Sequence, residues 1–328
     1  MGGAAGGNMK KTGLLLLLLA SMAGAQTSES AASVPLQAPE GTSPTNATFP
    51  FERVQTPTAA DLYCAGFITK QSVPDASFVL GGLNSPSSTK FQNGDLVYLK
   101  GSGYQVGQQY TIVRELKDPN EGETFPGQHK LVAATGQPYA EVGRVRIVDT
   151  RTKSAAVAQV EFSCDPINPG DVAVPFAEKQ AIQFHAPVRF DRFLPASNKT
   201  SGRIVMAKDF DSELGTGMKV YMNVGSNQGV KVGDYFRAVR TYTQDMNDPV
   251  DSLSFKAQVM EDTQKRPPSV EPKMFASTKG PRIHVAEFPR RAVGEIVVLT
   301  VTPTTSTGMI VYAPEDVHTG DNVELDEQ

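Results

Sequence analysis

One phrase occurs twice in this chain, and the doubling limits what the chain can fold into. VYLKGSGYQVGQQYTIVR runs from Val97 to Arg114, and VYMNVGSNQGVKVGDYFRAVR runs from Val220 to Arg240. Val106-Gly107 matches Val232-Gly233, Tyr110 matches Phe236, and Arg114 matches Arg240. Further on, residues 143–174 match residues 294–325. Each of these stretches opens on a glycine, Gly143 or Gly294, and closes near a Gly-Asp pair, Gly170-Asp171 or Gly320-Asp321. A duplication of this length describes two copies of one supersecondary design in tandem.

The phrase reads as extended chain broken by tight turns. Val220 to Val224 alternates as a half-buried strand does. GSNQG offers Gly225, Asn227 and Gly229 for turn positions of positive φ, and Gly233-Asp234 makes the next turn. Phe236 and Ala238 then face one way while Tyr235, Arg237 and Val239 face the other. Residues 144–148 and 156–162 read as a hairpin around DTRTK; residues 296–300 and 309–312 are its counterpart around PTTST. No stretch carries a helical face with caps, and 29 Gly and 23 Pro suit a turn-rich β protein. The expected fold class is all-β, with two tandem small antiparallel barrels or rolled sheets of roughly five to seven strands each.

The rest of the chain divides around these copies. Lys10 and Lys11, the apolar run Leu14 to Ala20, and Ala23-Gly24-Ala25 read as an export signal over residues 1–25, with Met9 as the natural start. That run is shorter than a membrane-spanning helix needs. Residues 26–59 are rich in Ser, Thr, Pro and Ala and read as a disordered tether. The first β domain is expected over 60–176, a connector over 177–202, and the second β domain over 203–328. A polar, Pro-bearing insert at 245–291 lies within the second, where a mobile loop is expected. Cys64 and Cys164 lie near the two ends of the first domain. An exported compartment permits a disulfide between them; two buried thiols are the alternative.

Val97-Tyr98, Gly101, Val106-Gly107, Tyr110, Ile112, Arg114, Asp118-Pro119, Gly122-Glu123, Val142-Gly143, Val145 and Gly170-Asp171 form a pattern. It resembles the region that follows LysM modules in Gram-negative periplasmic proteins. Asn223, Gly225-Ser226, Gly229-Val230, Gly233-Asp234 and Phe236 are similar to the hallmark of the C-terminal domain of flagellar assembly protein T. The resemblance implies an envelope location and a barrel fold. No LysM opening stands in the tether, so that module's peptidoglycan-binding residues have no counterpart in this chain.

The residues that could carry chemistry read as structural. His129, His185, His284 and His318 are not at metal-ligand spacing, and no cofactor or metal site is expected. Asp209, Asp211 and Glu213 begin like a calcium loop. Leu214 and Val220 then stand where an EF-hand places Gly and Glu. Asp118 to Glu123 is a second acidic turn. No phosphate-binding or nucleophile-elbow motif occurs. Arg114 and Arg240 recur at one position of the repeat. They could line a groove built twice, or each could close its barrel by pairing with a carboxylate or a strand-end carbonyl; the second is the plainer reading. Lys265, Arg266, Lys279, Arg282, Arg290 and Arg291 make the insert locally basic, a candidate partner-contact loop. The net charge of −4 gives no reason to expect a nucleic-acid partner.

These readings point to a non-enzymatic exported protein of the periplasm or cell envelope, binding or scaffolding near peptidoglycan or an envelope protein. It is not expected to be an integral membrane protein. A peptidoglycan or glycan hydrolase with a cleft between the barrels is the enzymatic alternative; a part of a flagellar or secretion-associated ring is the other.

Overall fold

The computed structural model describes residues 54–326 apart from 121, 153, 184–189, 194 and 242–287. The export signal and almost all of the tether fall outside those residues, as does nearly all of the insert. The described residues belong to one compact unit.

Two closed barrels of the same topology carry the fold. A short helix α1 (Ala59–Tyr63) and strand β1 (Phe67–Thr69) lead in. The first barrel is built from β2 (Phe78–Gly82), β3 (Leu96–Lys100), β4 (Gln109–Glu115), β5 (Gln137–Asp149), β6 (Ala156–Ser163) and β7 (Val172–Pro175). Around the wall the order is β2-β3-β6-β5-β4-β7, closing where Phe78 pairs with Val172. A second helix, α2 (Gln128–Thr135), lies in the β4–β5 connection. The second barrel uses β8 (Ser201–Ala207), β10 (Lys219–Met222), β11 (Tyr235–Arg240), β12 (Arg291–Val301), β13 (Ser306–Tyr312) and β15 (Asn322–Leu325). Its order is β8-β10-β13-β12-β11-β15, the first ring transposed strand for strand. A small ribbon of β9 (Glu213–Leu214) and β14 (Val317–His318) sits beside it.

The alternation read in β11 holds. Phe236 and Ala238 join the core of the second barrel, with Val220, Met222, Ile296 and Ile310. Val97, Ile112, Val145 and Ala158 fill the first. β10 departs from its expected half-burial, because Tyr221, on its outer face, is as buried as Val220 and Met222 inside. The cause is a strap formed by α1, β1 and α2, which lies on the outside of the second barrel. Leu62 and Ala65 cover Tyr235, Val297, Met309 and Val311. Ile68, Leu131 and Val132 cover Val205, Met206 and Tyr221. Hydroxyls of the second barrel hydrogen-bond the strap backbone: Thr307 Oγ1 donates to Gly66 O (2.9 Å) and Thr305 Oγ1 to Ile68 O (2.6 Å).

Both helices correct the expectation that none would form. α1 is held by a reciprocal cap, since Thr58 Oγ1 accepts from the Asp61 amide and Asp61 Oδ2 accepts from the Thr58 amide. α2 is anchored by Glu123, which accepts from the amides of Gly127 and His129. At the GSNQG turn, Gly229 alone takes the expected positive φ, at 83°; Gly225 is extended and Asn227 lies in a 3₁₀ turn. Gly225 instead leaves room for the backbone, because a Cβ there would stand 2.3 Å from Thr302 O.

The strap turns at Gly66, whose φ is +69°. A Cβ there would meet the Tyr221 hydroxyl at 2.5 Å and Tyr139 O at 2.7 Å. Gly66→Ala is therefore expected to lower stability by about 2–4 kcal/mol, from left-handed backbone strain plus overpacking. Urea unfolding followed by circular dichroism reads this; an unchanged midpoint would mean that the strap tolerates a side chain at its bend.

Candidate functional site

The residues repeated between the copies meet in space, and they build the same object twice. In the first barrel the Arg114 guanidinium grips Asp171 through two bonds, Nε to Oδ1 (2.8 Å) and Nη2 to Oδ2 (2.7 Å). Its Nη2 also donates to Pro166 O, at 2.7 Å. In the second, Arg240 Nε donates to Asp321 Oδ1 (3.0 Å), and Nη2 donates to Asp321 Oδ2 and to Asp316 O, both at 2.7 Å. Each aspartate also accepts from a backbone amide three residues earlier, that of Asn168 or His318, at 2.7 Å. The arginine stands near the end of β4 or β11, and the aspartate follows the Gly-Asp turn into β7 or β15. The pair thus ties two neighbouring strands together in a fork-to-fork geometry. The geometry matches the plainer reading of both arginines, a carboxylate and a strand-end carbonyl together.

Burial separates the two clamps. The side chains of Arg240 and Asp321 are 4% and 0% exposed, against 30% and 5% for Arg114 and Asp171. Burial pushes the Asp321 carboxyl above its ordinary range, against the pull of Arg240 and of the His318 amide.

The other repeated positions are turn-makers. Gly107 and Gly233 both have φ of +90°. Their amides donate to Ile147 O and Val298 O at 2.8 and 2.9 Å, and the following carbonyls, Gln108 O and Asp234 O, accept from those same residues at 2.9 Å. The adjoining Val106 and Val232 side chains face solvent. Gly170 and Gly320 turn with φ of +93° and +107°. Tyr110 packs against the first core as Phe236 does within the second. Gly143 and Gly294 stand on β5 and β12 opposite Ile112 and Ala238, beside a register shift in each barrel.

Cys64 and Cys164 form a disulfide, which ties the end of α1 to the end of β6. Close to it, Lys179 gathers three parts of the molecule. Its Nζ lies 2.7 Å from Glu141 Oε2 on β5 and 2.8 Å from Leu62 O on α1. It lies 3.5 Å from Thr300 Oγ1 on β12. Glu141 also accepts from the Gly66 amide. Arg144 lies over the rings of Tyr63 and Phe176, at 5.5 and 4.8 Å from their centroids.

A charge row that sequence reasoning missed crosses the outside of the second barrel. Glu295 on β12 stands opposite Arg237 on β11, and Arg237 stands opposite Glu324 on β15. Arg237 Nε lies 3.1 Å from Asp326, and Arg290 forks onto Glu324 at 2.5 and 3.0 Å. Glu295 is 4% exposed, and among the described residues its Oε2 has no hydrogen-bond partner. Burial first, and then the charge of Asp326, push its carboxyl up to about 7 against the pull of Arg237. An acid whose folded pKa lies above its unfolded value stabilises the fold least when ionised. Stability is complete below the unfolded value near 4.5 and falls as pH rises through about 7. Glu295→Gln is expected to remove that slope. At pH 8 it gains on the order of 1–2 kcal/mol over the parent once solvent screening is allowed for, and almost nothing at pH 4.5. Thermal unfolding across that range checks it; parallel curves for the two proteins contradict it.

Asp118 accepts from the Asn120 amide within its turn. Phe210, between Asp209 and Asp211, adopts a positive φ of 63° in the turn before β9. Among the described residues no three His, Cys, Asp or Glu side chains gather where they could hold a metal ion. His129 lies beside Glu123, and His318 is buried by the second clamp; His185 and His284 fall outside the described residues. Of the basic set, Lys265, Arg266, Lys279 and Arg282 also fall outside them. Arg290 pairs with Glu324, and Arg291 opens β12 with its Nε 3.0 Å from Glu315. A groove of about 370 Å³ beside α2 is edged by Lys130 and Arg203 and carries no carboxylate. One of about 280 Å³ carries Glu324, already paired with Arg290.

No described helix is long and apolar enough to cross a membrane. Compared with known proteins, the chain matches no family model, and no curated protein matches it.

Proposed function

We propose that this chain is a non-enzymatic module of the cell envelope, exported by its N-terminal leader and acting as a scaffold or binding unit near peptidoglycan or an envelope protein. One observation carries the reading: the polar residues repeated between the copies, Arg114 with Asp171 and Arg240 with Asp321, are engaged in closing barrels. The duplication multiplies a rigid body rather than a reactive centre. The disulfide is compatible with an oxidising, exported compartment. The likeness of the repeat motifs to barrels that follow LysM modules, and to the C-terminal domain of flagellar assembly protein T, supports an envelope setting.

Co-sedimentation of residues 26–328 with purified peptidoglycan sacculi tests the wall-binding form. Saturable pelleting that survives moderate salt is expected. Absence of pelleting at low salt would overturn direct wall binding and leave an envelope protein as the target.

A further inference from the structure

The duplication assigns a use to one outer wall of each barrel. In the second barrel, the wall of β8, β10 and β13 presents Val205, Tyr221 and Thr307. The strap covers it: Ile68 of β1 with Leu131 and Val132 of α2 packs there, leaving Val205 and Tyr221 fully buried. Register fixes the matching wall of the first barrel. Tyr98 pairs with Val157 as Tyr221 pairs with Thr307. Val79 exchanges backbone bonds with Gly170 and Asp171 as Ile204 does with Gly320 and Asp321, which places Leu80 where Val205 stands. The first wall, of β2, β3 and β6, therefore presents Leu80, Tyr98 and Val157. Among the described residues it stays open. Leu80 is 47% exposed and Leu83, just past β2, is 64% exposed; Tyr98 and Val157 are half-buried.

End repeats in stacked proteins normally present a polar outer face, and exposed apolar walls mark contacts. The internal interface indicates what fits this one. α2, which helps cover the second wall, belongs to the β4–β5 connection of the preceding barrel. The equivalent connection of the second barrel joins β11 to β12 through residues 241–290, more than twice the length of its counterpart at 116–136. It leaves and rejoins the barrel at the paired residues Arg240 and Arg291. Its sequence offers Leu253, Phe255, Val259 and Met260 to an apolar surface.

We propose that copies of this chain associate head to tail, the β11–β12 connection of one copy seating on the β2–β3–β6 wall of the next. This repeats between chains the step already made between the two barrels. Such a contact is heterologous, so it propagates rather than stopping at a dimer. It does not rest on what the module binds, so its failure and the failure of wall binding are separate results.

Sedimentation velocity over a wide concentration range tests it with two defects. Leu80→Glu/Leu83→Glu removes the wall, and both side chains are exposed enough to leave the core untouched. A chain lacking residues 245–287 removes the connection. A short loop then joins Arg240 to Arg291, which already face each other across the hairpin. Circular dichroism and cooperative unfolding show that each protein is folded. Should the double substitution disturb β2, Leu83→Glu alone tests the same wall from beyond the strand's end. The parent is expected to grow in mass with concentration past the dimer. Each defective protein alone should associate at least tenfold more weakly. A mixture of the two, with one intact wall and one intact connection between them, should form a dimer that grows no further. A parent monomeric at every concentration overturns the proposal. So does growth that survives either defect, or a mixture that fails to pair.

Discussion

Asp321→Ala is expected to lower the stability of the fold by about 3–5 kcal/mol, a large share of the roughly 5–15 kcal/mol available to a folded chain. The reason lies in what remains. Arg240 cannot lose its charge, its side chain is 4% exposed, and alanine takes away both carboxylate bonds of its fork where water reaches poorly. Asp171→Ala removes the same residue from the first barrel, where the Arg114 side chain is 30% exposed and water can replace the carboxylate. The expected loss there is about 1–3 kcal/mol. Pairing Asp321→Ala with Arg240→Met should recover part of the larger loss, because the buried charge then goes together with the carboxylate that balanced it. Urea unfolding of the four proteins reads the set. Equal losses at Asp171 and Asp321 would show that burial does not separate the clamps.

Opening the disulfide is expected to cost the fold a comparable share of its stability. Cys64 and Cys164 are 100 residues apart in sequence, and cross-linking a ring of that size restricts the unfolded chain strongly. A loss of about 2–4 kcal/mol is expected on adding reductant, and the same loss from Cys64→Ala/Cys164→Ala. The bridge also ties α1, which lies on the second barrel, to the end of β6 in the first. Hydrogen exchange in the reduced protein should therefore rise first at residues 59–69, ahead of the barrel strands. A midpoint indifferent to reductant would contradict the assignment of the bridge as a structural tie.

The architecture was legible where one local pattern repeats. The Val-Gly and Gly-Asp turns are short-range signals, and their double occurrence located both hairpins and both clamp arginines. Features that join distant parts of the chain were not legible. Tyr221 reads as the outer residue of a half-buried strand because nothing near it in sequence reveals that Ile68 and Leu131 will cover it. α1 has five residues, too few for a period, and its cap at Thr58 lies in a stretch whose composition reads as tether. α2 is held mainly by Glu123 and by Gln128 bonding to Val205 O, contacts that no periodicity records. Glu295 and Arg237 stand 58 residues apart and become neighbours only through β11–β12 pairing. The disulfide stayed one of two alternatives because the turn that brings Cys64 to β6 runs through the strap.

The placement of that bridge matters to a chain pulled at its ends. The described chain begins against β13 of the second barrel, where the Gln55 amide donates to Val311 O, and it ends just after β15 of the same barrel. Tension between those ends falls on the second barrel and on the strap. When α1 peels away, the pull reaches Cys64 and passes through the sulfur–sulfur bond to Cys164. Residues 65–163, nearly all of the first barrel, then lie in a covalent bypass and bear no extension while the bond is intact. Under oxidising conditions β2 to β6 stay out of the line of force, and β7, beyond Cys164, is the one strand of the first barrel that bears it; under reducing conditions the other five join it.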